Sequence, residues 1–211
     1  MPDRAGGVVL PLSYLPSIDQ YCFLAQNQTV SFEVYETFPK QTCRNRTWIL
    51  SANGVFRLTV PVIKPNGNKT KTAEILIDYK THWNIIHWRA ISSAYNKSPF
   101  FLYYRDDFEQ IFLNPHESLI GFNLSLIDLI NKFLKIHTPV ELTTGFIKNY
   151  GLMEDKRYCD KNISSTHFIL KPYTQVFSDR MPFISNLSII DLLFNEGPLA
   201  LNYLQEAQVN N

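Results

Sequence analysis

An unbroken apolar run followed almost at once by a helix start restricts the fold of this chain more than any other feature. Val8-Val9-Leu10 has no polar alternation, so it reads as a strand covered on both faces. The loop Pro11 to Pro16 follows it. Ser17-Ile18-Asp19-Gln20 then matches a capping box, in which the Ser hydroxyl and the Gln side chain satisfy free backbone N–H groups. Ile18, Tyr21, Cys22 and Ala25 fall at helical spacing behind it. The chain therefore opens as strand, loop, helix. Ligands in α/β folds sit beyond the carboxyl ends of strands, beside the next helix N-terminus. Ser13 and Tyr14 in this first loop are accordingly candidates for substrate contact.

A β-rich stretch comes next. Val30, Phe32 and Val34 alternate with polar residues. Thr47 to Leu50 leads into Ala52-Asn53-Gly54, a good hairpin turn because Asn and Gly tolerate positive φ. Phe56, Leu58, Val60 and Val62 return on one face. Lys64 to Thr72 reads as an exposed loop and Glu74 to Asp78 as a short strand. The middle is helical: Trp83, Ile86, His87, Ala90, Ile91, Ala94 and Tyr95 follow i, i+3, i+4, i+7 spacing. Ser98-Pro99 ends that helix, and Phe101 to Phe112 and Leu119 to Leu134 read as two more. Val140 to Phe146 reads as a strand, Lys148 to Ser165 as an irregular loop and Ser164 to Val176 as extended chain. Asn186 to Asn195 and Pro198 to Gln205 close the chain as helices, with Gly197 as a C-cap between them. The expected class is α/β to α+β, a mixed sheet with packed helices, in a single domain over residues 1–211.

Composition narrows the function. Hydrophobic residues are 45% and charged residues 18%, enough apolar surface for a sizeable core and no signature of disorder. A net charge of +1 gives no bulk attraction to nucleic acid. No run approaches the roughly 20 apolar residues of a membrane helix, and no signal-peptide stretch is seen. The three cysteines, Cys22, Cys43 and Cys159, form no C-x-x-C, so reduced thiols and a cytoplasmic location are expected. No Walker loop, G-x-G-x-x-G, H-E-x-x-H or G-x-S-x-G occurs, so no metal and no cofactor is predicted.

Three further sites carry candidate chemistry. On extended chain, residues two apart share a face, so Arg44 and Arg46 form a cationic pair for a carboxylate or diphosphate, with Asn45 opposite, or else a solvated or salt-bridged strand entrance. His87 lies on the apolar stripe of its helix; it is a core histidine or a general base facing a cleft. Asp191, within Ser188-x-x-Asp191, is a capping residue or a carboxylate that orients His87 or binds an amine.

The chain resembles the WbqC-like family. The resemblance runs through Leu10-Pro11-Leu12-Ser13-Tyr14-Leu15-Pro16, through Lys40-Gln41-Thr42-Cys43-Arg44-Asn45-Arg46 with Leu58 to Val62, and through Trp83-x-x-x-His87-x-x-Ala90-Ile91-x-x-x-Tyr95. It ends in Asn186-Leu187-Ser188-Ile189-Ile190-Asp191 and on to Gly197-Pro198. Where many members have a His-Gln-Pro type sequence in the first loop, this chain has Leu10-Pro11-Leu12-Ser13. The resemblance implies a bacterial protein of O-antigen or other surface-polysaccharide synthesis that transfers an acyl or glycine-like aminoacyl group to an amino sugar. On that reading His87 and Asp191 are catalytic, and Ser13, Tyr14, Arg44, Asn45, Arg46, Tyr95 and Asn186 bind a sugar or nucleotide-sugar substrate, with an acyl donor or nucleotide as co-substrate. A non-catalytic assembly protein of the same pathway and a nucleotide-dependent ligase are the alternatives.

Overall fold

The computed structural model describes residues 7–40, 42–157 and 166–210. Strand β1 (Val8–Pro11) is buried along its whole length, as its unbroken apolar run requires. Helix α1 (Ile18–Gln26) returns the chain to β2 (Val30–Glu33), which pairs parallel to β1 in the register Val8 to Val30. The Ser17 hydroxyl accepts the Gln20 amide N–H at 3.3 Å, completing half of the expected capping box. Gln20 does not fold back to close the other half: its side-chain amide donates to the Pro11 carbonyl at 2.7 Å. The residue thereby ties the helix start to the end of β1.

The hairpin forms as read, from β3 (Arg46–Ser51) and β4 (Gly54–Thr59), antiparallel in the register Arg46 to Thr59. Gly54 takes φ +102, a value that L side chains rarely adopt. A short antiparallel pair, β5 (Val62–Ile63) with β6 (Leu76–Ile77), follows. Three helices come next: α2 (Trp83–Tyr95), α3 (Phe101–Leu113) and α4 (Leu119–Leu134). Ser118 caps α4 by accepting the Gly121 N–H at 3.1 Å, and its buried stripe includes Leu119, Phe122, Leu126 and Ile130.

The strand expected over Val140 to Phe146 is shorter, β7 (Val140–Leu142), and pairs parallel to β2. The stretch read as an irregular loop contains a strand, β8 (Glu154–Asp155), parallel to β1 on its other side. Two polar residues carry no strand signal of their own; pairing with the free edge of β1 makes them one. Residues 158–165 of that stretch, and Ser164 and Ser165 of the extended segment after it, lie outside the described residues. The central sheet has the order β7-β2-β1-β8, all parallel, so parallel and antiparallel pairings fall in separate sheets. Finally β9 (Phe168–Ile169) pairs antiparallel with β10 (Gln208–Val209) around α5 (Ile189–Glu196) and α6 (Ala200–Glu206). The first turn expected of the Asn186–Asn195 helix is absent: Asn186 sits at φ +55 and the helix begins at Ile189.

One hydrophobic cluster joins residues from Val8 to Leu204. Phe194 of α5 sits at its centre, edge-on to Tyr95, Phe101 and Phe108. Burying each such ring is worth roughly 1.5–3 kcal/mol, and this accounts for much of the chain's aromatic surplus. Among the described residues no helix is long and apolar enough to cross a membrane.

Candidate functional site

The carboxyl edge of the parallel sheet gathers charge. Glu33, the last residue of β2, is fully buried. It accepts hydrogen bonds from the Tyr35 amide at 2.7 Å, the Tyr150 hydroxyl at 2.7 Å and the Thr143 hydroxyl at 3.1 Å, and it pairs with Arg157 at 3.4 Å. Arg157 follows β8 and grips Asp155 two residues before it in a fork, Nε at 2.8 Å and Nη2 at 2.6 Å. Its guanidinium donates to the Ile147 carbonyl and lies against the Phe146 and Tyr150 rings, 5.3 and 4.9 Å from their centroids. Hydrogen bonding to Asp155 raises the Arg157 pKa, and that same contact lowers the Asp155 pKa. Burial and the bond to Glu33 raise the Tyr150 phenol.

A second arginine joins this network. Arg44 is buried and donates from Nε to Glu36 at 2.6 Å, from Nη1 to the Thr42 hydroxyl at 2.7 Å and from Nη2 to the Arg157 carbonyl at 3.2 Å. Burial lowers the Arg44 pKa and raises that of Glu36, and the contact between the two opposes both shifts. Asn123 of α4 donates to the Arg44 and Leu12 carbonyls, so the network is pinned to the first loop. Buried charges persist only when paired. The buried Glu33, Arg44 and Arg157 meet that condition, with Glu36 and Asp155 as their more exposed partners, at the place where α/β sheets bind ligands.

Residues chosen from sequence occupy varied positions. Ser13 contacts the Pro11 carbonyl and the Cys43 sulfur, the latter at 3.1 Å. Cys43 is disulfide-bonded, whereas Cys22 is a free buried thiol, so reduced thiols throughout do not hold. Wide sequence spacing hides which cysteines a fold brings together. The Tyr14 hydroxyl lies 2.9 Å from His87 Nδ1, and the two rings stack. A backbone hydrogen bond to Thr59 occupies the ring too, which assigns the Tyr14 proton as donated to Nδ1. Burial pushes the His87 pKa down to about 4, so the imidazole is neutral near pH 7.

Asp191 is fully buried and engaged by three other donors: Tyr173 at 2.5 Å, Tyr95 at 2.9 Å and Gln175 at 2.9 Å. His87 is not among them. Burial raises the Asp191 pKa and those three donors oppose it. Tyr95 also accepts the Leu50 amide at 3.2 Å, and Asn186 accepts the Asp19 amide at 2.9 Å. Asn45 donates to the Val60 carbonyl at 2.9 Å. Arg44 and Arg46 do not form a pair, because residues 43–45 turn and β3 starts only at Arg46. Of the nine chosen side chains, Arg46 alone reaches solvent; the other eight are buried.

Sequence reasoning passed over a further pair. Asp19, in the first turn of α1, holds His167 Nδ1 at 2.9 Å and accepts the His167 and Phe168 amides at 2.7 and 3.0 Å. His167 is exposed and borders a shallow recess of about 80 Å³ with Phe23, Lys156 and Asn210. Asp19 on a helix and a histidine 148 residues later share no sequence pattern. Glu33, Glu36 and Arg157 were equally hidden; closeness to strand ends was the signal that could have found the two glutamates.

This geometry defines an α/β protein with a buried, internally paired charge network at the carboxyl edge of its parallel sheet. The WbqC-like protein family matches residues 13–159, and the chain belongs to that family. It is also 26% identical over 202 residues to the uncharacterized protein Rv1507c of Mycobacterium tuberculosis, covering 82% of this chain and 87% of that one. No solved structure matches.

Proposed function

We propose that this WbqC-like chain is a cytoplasmic transferase that moves an acyl or glycine-like aminoacyl group onto the amine of a sugar in surface-polysaccharide synthesis. One observation carries the reading: the buried Glu33–Arg157–Arg44 network at the carboxyl edge of the sheet. Burying the three ionisable groups Glu33, Arg44 and Arg157 costs more than a hydrophobic substitute would, and such clusters concentrate at functional sites. In this reading Ser13, Tyr14, Arg44, Asn45, Tyr95 and Asn186 shape the substrate site from behind, and Arg46 meets the substrate's anionic part. Amine attack needs a base to take the ammonium proton. His87 can do so only by giving up its bond to Tyr14; the imidazole that Asp19 orients at His167 has no such requirement.

The commitment of both His87 and Asp191 to buried partners favours a second reading, a non-catalytic binding or assembly protein of the same pathway. Mass spectrometry of surface polysaccharide from a strain lacking the chain separates the two. The transferase predicts loss of an acyl or aminoacyl substituent, restored by the wild-type gene but not by His167→Ala or Arg157→Met variants that still fold. Restoration by every folded side-chain variant supports the assembly role. An unchanged polysaccharide after deletion removes both readings.

A further inference from the structure

Arg46 begins β3, and Trp48 stands two residues on, so both project from the same face of the hairpin. Trp48 pairs with Arg57 across the ladder, which puts Arg57 on that face as well, diagonal to Arg46. Cross-strand diagonals lie about 7–8 Å apart at the backbone, within reach of long side chains. The Arg57 guanidinium sits over the Trp48 ring, 5.6 Å from its centroid. Among the described residues neither Arg46 nor Arg57 has a carboxylate within ion-pair distance.

Arg46 is in a costlier position still. Its Nε is shielded from solvent and has no hydrogen-bond partner. Burial lowers its pKa, and the charge of Arg57 lowers it further. Two like charges with no acid between them and a shielded, unused N–H destabilise the unliganded protein. The two buried arginines, Arg44 and Arg157, are by contrast each held by carboxylates and carbonyls. The contrast is chemical: those two face carboxylates, and among the described residues the hairpin pair faces none.

We propose that Arg46 and Arg57, beside Trp48 on the outer face of the β3–β4 hairpin, bind the phosphate or diphosphate group of a small-molecule substrate. Guanidinium is planar and donates two parallel N–H bonds to neighbouring oxygens of a phosphate. Two such forks match a multiply charged group better than a single carboxylate. Trp48, packed against the Leu50, Phe177 and Leu187 cluster, carries Arg57 over its ring and so holds that guanidinium on the face it shares with Arg46. The inference deepens the substrate-binding part of the transferase reading, and relies on that reading only for the substrate being a small molecule.

Calorimetric titration of the full chain at fixed ionic strength tests it, with inorganic pyrophosphate and uridine diphosphate as probes. Saturable binding is expected. Arg46→Gln and Arg57→Gln should each weaken it at least about tenfold, the scale of one lost charged hydrogen bond, while Arg105→Gln on distant α3 leaves it unchanged. Equal affinity for the two probes identifies the anion as the whole ligand. Tighter binding of uridine diphosphate than of pyrophosphate, weakened by both arginine variants, identifies a nucleoside-linked phosphate. Arg57 is exposed, so its variant folds even if Arg46→Gln does not. Without ligand, Arg57→Gln should melt at or above the wild-type temperature, since a repulsion is removed. No saturable binding of either probe, or binding that both arginine variants leave intact, overturns the proposal. Retained pyrophosphate binding in a chain whose deletion leaves polysaccharide unchanged removes both pathway readings and leaves the phosphate site standing.

Discussion

At pH 7 the His87 imidazole is neutral in the folded protein, because burial holds its pKa at about 4. In the unfolded chain the same ring takes up a proton near its ordinary value of about 6.5. A depressed pKa means the unfolded state binds the proton first. His87 therefore contributes stability in full above about pH 6.5, and that contribution is lost as pH falls toward 4. Urea unfolding of the wild type should lose roughly 3 kcal/mol from this group between those limits, and His87→Gln should flatten the profile there. An equal pH dependence in variant and wild type would show that the ring is already protonated in the fold. At this scale the sequence spoke only in residue types. It marked His87 and Asp191 as unusual on apolar stripes. That Tyr14 would cap one, and Tyr173, Gln175 and Tyr95 the other, depends on three-dimensional neighbours 16 to 96 residues away.

The turn between α5 and α6 is fixed by a single backbone position. Gly197 adopts φ +52, and a Cβ placed there would stand 2.5 Å from the Phe100 ring. Gly197→Ala must therefore both strain the backbone and displace an aromatic side chain, a cost of about 1–3 kcal/mol or more. A drop in the thermal midpoint checks it; an unchanged midpoint would mean that Phe100 yields freely. Gly197 was legible as a C-cap because glycine before proline is a local signal. The long helices and the Asn53-Gly54 turn were legible for the same reason: periodicity and turn chemistry act within a few residues. Elements without local signals were not. β8 is two acidic residues in a polar stretch and exists only because β1 has a free edge for it. The expected Arg44–Arg46 pair failed because two-residue alternation holds on a strand and not in the turn before one.

For the whole molecule, one apolar cluster running from β1 through the three central helices to α6 predicts that all parts unfold together. Trp48 reports on the hairpin, and Trp83 and Trp88 report on α2. Their fluorescence transition should coincide with loss of far-ultraviolet circular dichroism in urea; two separated transitions would divide the chain into independent units. The sequence by itself determined the class of fold, the N-terminal strand–loop–helix unit and the helical middle, because apolar spacing, caps and glycine turns are local. Tertiary structure alone decided the all-parallel order of the central sheet, the Glu33–Arg157–Arg44 network, the Asp19–His167 contact and the pairing of Arg46 with Arg57 rather than Arg44. The physical reason is burial. A charged side chain reads as solvent-facing until the fold shows which partners share its cost of leaving water, and those partners lie too far along the chain for any spacing rule to connect.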